Sequence, residues 1–474
     1  MHSRTPSSRN AHAPPRAPPT RAMLTQANAV LREYSDAALA APELTLTAAD
    51  VAAGDVARLQ AQASETYGPV LRGNVPFGPD AGPCLYLVGP EIAETAMSTR
   101  VSAFSSDQGW RYVLGHGCGR AVLNTDDPLH AEQRRTWAPA MTGTMIQAHW
   151  PALTRTIAEC IAPLRDGIEL DAYPRLRALA FRAIARTIVG LPEEAIDPAF
   201  RAICVVLDGQ DYTHESRSSY VERADIARAE LAAILREVIA TRRRHAANEG
   251  NTLLELLLAY PHFGSVVDAD DEIRSHLTIV LIAGHDTGAS FFSRAVFLLA
   301  ELPEVAELLA NELSAAGWRA SSPLPTAELD RLPHLQRFLL EVSRLYPPLI
   351  NLPRVVVEEI DIGDYRVVPG TRVAIAAAAT HLLSRLHVNP LVFDLSRYAD
   401  LDNVRVTQPF QMLAFAGGSR MCMGVRFAQL EFKSIVAHVV SQIRLERATE
   451  RPVAHAGFWN ARPAGPLLVR THPR

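Results

Sequence analysis

FAGGSRMCMG, residues 415–424, sets a single cysteine among three glycines, directly before the helix-forming run VRFAQLEFKSIVAHVV. Gly417, Gly418 and Gly424 let the chain turn tightly and let a flat ligand approach the backbone closely. A helix starting after Gly424 offers free N–H groups and the positive end of its dipole, both of which favour a thiolate at Cys422. Arg420, two residues before the cysteine, is placed to pair with a carboxylate of a bound cofactor. These features describe a thiolate held under a large planar anion. The alternative is a glycine-rich turn around an incidental buried cysteine.

Working outward, Ala428, Phe432, Ile435, Val439 and Ile443 recur at helical spacing and predict an amphipathic helix after the loop. Helical periodicity also dominates 128–344, with interruptions near 190–198, 208–219 and 261–265. Beyond Pro347 the texture turns to β. Residues 355–360, 365–368 and 372–375 read as short strands between Gly and Pro turns, and 386–412 reads as irregular. Near the start, a helical pattern from about Leu46 leads to extended pieces at VLRGNV and CLYLVGP, then to a helix after Pro90. The glycine-dotted stretch 104–124 reads as a loop of about 20 residues, a length usually associated with function or mobility. No solenoid-type repeat occurs. The expected fold is mainly α with a minor β region.

Of the 474 residues, 48% are hydrophobic and 21% charged, as in ordinary globular enzymes. Length alone suggests about three domains at roughly 150 residues each, yet the motifs spread over one interlocked unit, so a single large domain at 23–474 is expected. A net charge of −4 gives no reason to expect nucleic-acid binding. Lys433 is the only lysine among the 47 basic residues. Cys84, Cys118, Cys160, Cys204 and Cys422 are scattered, which argues against a disulfide framework or zinc ribbon and for a reducing cytoplasm. The first four read as small buried hydrophobes. Residues 1–22 read as a disordered Pro/Arg-rich segment, with a transit peptide as the competing reading. The apolar run LTIVLIAG at 277–284 is too short to span a bilayer, so no membrane anchor is expected.

The loop around Cys422 resembles the cytochrome P-450 haem-binding signature F-x-x-G-x-R-x-C-x-G at Phe415, Gly418, Arg420, Cys422 and Gly424. Further motifs follow in that family's order. AGHDTG resembles its [AG]-G-x-[DE]-T-[TS] helix through Ala283, Gly284, Asp286 and Thr287, while Gly288 departs from the usual Thr or Ser. An Asp–Thr pair in an apolar helix is costly unless hydrogen-bonded or functional; a core helix kinked at its glycines is the rival explanation. Glu341-x-x-Arg344 resembles the family's E-x-x-R, completed by Arg397. His130 and Arg134 resemble the helix residues that contact haem propionates, and Arg354 resembles another propionate arginine. His381 matches the histidine of an H-R-D motif, but Leu382 and Leu383 replace the other two residues, which leaves that network open.

The resemblance spans about 45–474. It implies haem b with Cys422 as axial iron ligand, and a structural network of Glu341, Arg344 and Arg397. It implies a monooxygenase that inserts one atom of O2 into a C–H bond, by hydroxylation or else epoxidation, of a small, largely apolar molecule. Asp286 and Thr287 would relay protons. Electrons would come from a ferredoxin and its NAD(P)H-dependent reductase, with a cytoplasmic monomer expected. Substrate contacts are expected at 105–122, 200–219, 279–287, 349–352 and 458–459. The other readings are a peroxide-using or rearrangement enzyme on the same haem, or a haem or ligand carrier.

Overall fold

The computed structural model describes residues 41–76, 81–114, 118–208, 217–244, 252–260, 269–400 and 410–474. The segment 1–22 lies outside these residues, as do Asp211, His214 and Glu215 from the expected substrate region.

The chain is mainly helical with small sheets. In chain order, the strands that shape the site are β1 (Val70–Val75), β2 (Gly82–Leu87), β3 (Leu352–Val356) and β4 (Arg372–Ile375). Hydrophobic residues of these strands are largely buried, and the strands form one sheet from distant parts of the sequence. β1 runs antiparallel to β2, β2 parallel to β4 (Leu85 opposite Val373), and β4 antiparallel to β3 (Val373 opposite Arg354). A second, three-stranded sheet joins Ile443–Arg447, Leu468–Pro473 and Glu169–Asp171.

The helices that reach the site are α1 (Ser106–Leu114), α2 (Leu129–Trp137), α3 (Ala172–Ile184), α4 (Glu193–Asp208), α5 (Ala269–Glu301), α6 (Pro333–Leu345) and α7 (Val425–Gln442). α5 runs unbroken for 33 residues and is buried along most of its length. A helix apolar nearly all round belongs in the interior, and α5 is the axis on which the others pack. Phe291 of α5 stacks on Phe432 of α7 with ring centroids 4.7 Å apart, so the axis is tied to the helix that follows Cys422.

Several sequence expectations need correction. The stretch 104–124 is not one loop, because Ser106–Leu114 is helical. Its first turn is capped by Asp126, whose Oδ1 accepts from the N–H groups of Ser106 at 2.7 Å and Asp107 at 3.2 Å. Gly109, a helix breaker by local pattern, is needed for packing: a Cβ there would lie 2.5 Å from the Pro353 carbonyl oxygen of β3. The strand expected at 355–360 is instead β3 and a separate short strand, Ile360–Ile362. α4 continues through Pro198, where an interruption was expected. The glycines of the Asp–Thr motif do not break α5. Cys160 and Cys204 are half-buried, whereas Cys84 and Cys118 are in the core.

Candidate active site

The loop around Cys422 is held by its own backbone. The Cys422 N–H donates to the Phe415 carbonyl at 2.8 Å, closing the loop on itself. Gly418 sits at φ +57, and a Cβ there would lie 2.2 Å from the Met97 carbonyl oxygen, so both conformation and space call for glycine. Gly424 precedes the first residue of α7. The Cys422 side chain opens onto an internal cavity of about 280 Å³. Protein encloses it on the other sides. Burial pushes its thiol up, while the Gly424 N–H and the Arg134 guanidinium pull it down.

One edge of the cavity is basic. His130, Arg134, Arg354 and Arg420 all line it. Arg134 donates from Nη1 to the Met421 carbonyl at 2.8 Å, which carries its charge to the residue beside Cys422. Arg420 donates from Nη1 to Thr125 O at 2.7 Å, and Arg354 from Nη1 to Pro353 O at 2.7 Å. The Nε atoms of Arg354 and Arg420 are buried without a hydrogen-bond partner. Burial, with the Arg420 charge adding to it, pushes Arg354 down to about 9. His130 is pushed down to about 4, first by burial and then by Arg420, against the pull of Asp127. Buried cations with unused donors are costly unless anions meet them. This donor set therefore fits the two carboxylates that an iron porphyrin would bring to this cavity.

Arg354 should affect the haem-free and haem-loaded proteins differently. Arg354→Met removes a buried cation that has no anion of its own, so the haem-free protein should be no less stable. Haem should nevertheless pass to apomyoglobin about ten-fold faster, equivalent to roughly 1.4 kcal/mol of lost binding. An unchanged transfer rate would remove Arg354 from the binding set.

Across the cavity from Cys422, α5 presents Ala283, Gly284 and Thr287. The Thr287 hydroxyl donates to the Ala283 carbonyl at 2.6 Å, which leaves its lone pairs free to accept. A Cβ at Gly288 would lie 3.0 Å from Phe292 and 3.3 Å from Ala180 of α3. A side chain at this position would therefore crowd Phe292 of α5 itself and Ala180 of α3. Asp286 also borders the cavity, but both its carboxylate oxygens are engaged. Arg462 Nη2 holds Oδ1 at 2.8 Å, and the Asn460 amide donates to Oδ2. Sequence reasoning missed Arg462 and Asn460; their only signal was a position next to Trp459. It also missed Glu431 of α7, which lines the cavity, is buried, and is pushed well up by desolvation.

Apart from Ser106, Ser343 and Asn460, the rest of the lining is apolar. Trp110 and Leu114 of α1, Ile184 of α3, Leu207 of α4, Leu349 and Trp459 enclose the space above Cys422. Phe458 and Ile350 were expected here and do not line it; Phe458 packs instead against Tyr86, with ring centroids 6.2 Å apart.

Behind the loop lies a fully buried ion pair. Arg344 donates to Glu341 from Nε at 2.8 Å and from Nη2 at 2.7 Å. Arg397 Nε and the Asp394 N–H also donate to Glu341, at 3.2 and 2.9 Å. Arg344 reaches the carbonyls of Pro390 and Val392 as well. His381, the one H-R-D residue present, bonds with both ring nitrogens. Its Nδ1–H donates to Arg344 O at 3.1 Å, and its Nε2 accepts from the Leu413 N–H at 2.7 Å. α6 is thereby linked to the start of the cysteine loop.

Comparison with known proteins agrees with this geometry. The family model described as cytochrome P-450 matches residues 48–460. Cyclooctat-9-en-7-ol 5-monooxygenase of Streptomyces melanosporofaciens is 31% identical over 376 residues, covering 77% of this chain and 80% of that protein. Pentalenene oxygenase of Streptomyces avermitilis is 27% identical over 345 residues, covering 70% of this chain and 76% of its own length. Among solved structures, retinoic acid-bound cyanobacterial CYP120A1 aligns with a TM-score of 0.78 at 20% identity, over 92% of this chain and all of the other. By fold, by family match and by relatives that are monooxygenases, the chain belongs to the cytochrome P-450 family, haem-iron monooxygenases that use O2 and redox partners.

Proposed function

We propose that this protein binds haem b and inserts one atom of O2 into a C–H bond of a small, largely apolar cyclic molecule of terpene type. The observation that carries the reading is one largely apolar cavity lined by both Cys422 and Thr287 of α5. The names of the two streptomycete relatives support the substrate class, since both act on terpene-derived compounds. A ferredoxin with an NAD(P)H-dependent reductase supplies the electrons, and the protein works as a cytoplasmic monomer. No helix among the described residues is long and apolar enough to cross a membrane.

Cys422 would ligate the iron, with Arg354, Arg420, Arg134 and His130 on the carboxylates. When bound, the haem supplies O2 binding and cleavage of the O–O bond, which a thiolate ligand favours in this family. The protein's own residues do the rest. The apolar walls exclude water and orient the substrate by shape. Thr287, its proton committed to Ala283, accepts a hydrogen bond on the cavity side and holds a proton donor there. Asp286, one residue earlier, is the route by which that donor is resupplied from water. Glu341, Arg344 and Arg397 keep the cysteine loop in place.

Thr287→Ala removes the acceptor with little change of volume, so substrate binding should persist. Product formed per NAD(P)H oxidised should fall, by up to about 10²-fold if the whole of a general-acid contribution is lost, with hydrogen peroxide making up the difference. An unchanged ratio would show that protons arrive without Thr287. The wider reading is tested by screening cyclic terpene hydrocarbons and alcohols for a low-spin to high-spin shift. Turnover of a compound that shifts the spectrum should give a hydroxylated or epoxidised product carrying oxygen from 18O2. If no such compound binds while acyclic or polar ones do, the substrate class is wrong.

A further inference from the structure

Thr125 and Asp126 hold two parts of the cavity at once. The Thr125 carbonyl accepts from Arg420 Nη1 at 2.7 Å, and the Asp126 carboxylate lies 3.7 Å from Arg420 Nη2. The same carboxylate caps α1. Its Oδ1 accepts from the Ser106 and Asp107 N–H groups, and its Oδ2 accepts from the Ser105 hydroxyl. That hydroxyl in turn accepts from the Gln108 N–H at 3.0 Å. Three of the N–H groups that a helix start leaves unpaired are thus met through one side chain. α1 carries Ser106, Trp110 and Leu114 of the cavity wall. It also lies on the backbone of Arg354: a Cβ at Gly109 would come within 2.7 Å of Arg354 Cα. Burial and then the Arg420 charge push Arg354 down, and Asp126 opposes them. Burial pushes Arg420 down too, with Asp126 first among the charges that oppose it. The Asp126 side chain is 39% exposed and that of Arg420 only 6%, so a partly solvated charge acts on buried ones. One carboxylate therefore meets both a helix that walls the substrate space and the arginines of the basic edge.

We propose that Asp126 is a positioning residue with two separable outputs: its oxygens seat α1 beside the cavity, and its charge tempers the hold of Arg354 and Arg420 on the haem carboxylates. The inference rests on those two arginines meeting the carboxylates. A side-chain oxygen at a helix start satisfies free N–H groups, and asparagine does this about as well as aspartate. Seating α1 therefore needs the oxygen more than the charge. The second output is a charge effect alone. A negative charge beside the arginines weakens their attraction for another anion. It also opposes the addition of an electron to the haem, because like charges repel. A substitution that keeps the oxygen and removes the charge splits the two outputs.

Asp126→Asn is that substitution. Hydrogen exchange of residues 106–114 in the haem-loaded enzyme, read by mass spectrometry, should stay within about two-fold of wild type, because the cap survives. The reduction potential should move to a more positive value, by an amount that shrinks as salt is raised. Haem should pass to apomyoglobin about two-fold more slowly, the scale of a partly exposed ion pair. Asp126→Ala removes the oxygens as well. It should show the same shift in potential, with exchange in 106–114 faster by about five-fold, within the range of a lost helix cap. If the alanine variant does not retain haem, Asp126→Glu serves, since it keeps the charge and displaces the oxygens by one methylene. Exchange should then rise while the potential stays at the wild-type value. A residue that only caps α1 would leave the potential unmoved in Asp126→Asn, and that result overturns the proposal. Exchange as fast in the asparagine variant as in the alanine or glutamate one overturns it too. If Asp126→Asn changes neither potential nor haem transfer while Arg354→Met still speeds transfer, the arginines keep their role and Asp126 loses its own. If neither variant alters transfer, the assignment of the arginines to the haem carboxylates fails as well.

Discussion

Cys422→Ser is expected to give a folded protein whose reduced carbon monoxide complex lacks the red-shifted Soret band of thiolate-ligated haem. The loop does not depend on the sulfur: its closing hydrogen bond runs from the Cys422 N–H to Phe415 O, and Gly418 carries the tight turn. Serine keeps the shape and the backbone contacts. It does not supply a soft anionic ligand, because its hydroxyl remains protonated where even the thiol is pushed up by burial. The basic edge stays intact, so some haem should still bind, giving a spectrum without the thiolate signature. Activity with O2 and a reductase should fall to background. Persistence of the thiolate band in the serine variant would transfer the ligand role elsewhere. Cys118 is buried and pushed up to about 11, and it is not among the residues that line the cavity.

Arg344→Ala should abolish accumulation of folded, haem-loaded protein. Both side chains of the Glu341–Arg344 pair are inaccessible to solvent. Removing the arginine strands a buried carboxylate and frees the carbonyl of Pro390, while Val392 O keeps only its bond from Arg397 Nη2. Breaking a buried pair in this way costs about 3–5 kcal/mol. A domain has only about 5–15 kcal/mol in total, so most of the margin is lost. Arg397 stays beside Glu341 at 3.2 Å but cannot replace the two parallel hydrogen bonds. Soluble yield, thermal midpoint and haem content per chain are the measurements. A soluble Arg344→Ala protein with normal haem content and an unshifted midpoint would show that the pair contributes little. Arg344→Lys should be intermediate, because lysine offers a point charge in place of a fork.

The sequence alone determined the class of fold and, through the loop around Cys422, the family. Signals of that kind are local: glycines flanking Cys422, a helix-forming run directly after it, and apolar spacing along α5 and α7. A turn that needs positive φ or a thiolate at a helix start constrains only a few adjacent residues, so the constraint is written in adjacent letters. E-x-x-R is local as well, yet whether such a pair is exposed or buried is decided by what packs over it. Here the cover comes from 388–397, about fifty residues further along the chain, a separation typical of tertiary contacts.

What only the tertiary structure decided depends on contacts between distant segments. Gly109 reads as a helix breaker until β3, some 240 residues later, is laid against it. Asp126 caps that same helix from outside it. His381 links two distant segments because Leu413 and Arg344 converge on its two ring nitrogens. Asp286 looks from its neighbours like one half of an acid–alcohol pair, and the fold adds Arg462 and Asn460, more than 170 positions away. Local patterns report backbone conformation and which face of a helix is apolar. The partner of a buried charge is set by which segments meet once the chain has packed, and burial makes that choice consequential, because an unpaired charge is costly only where water cannot reach it.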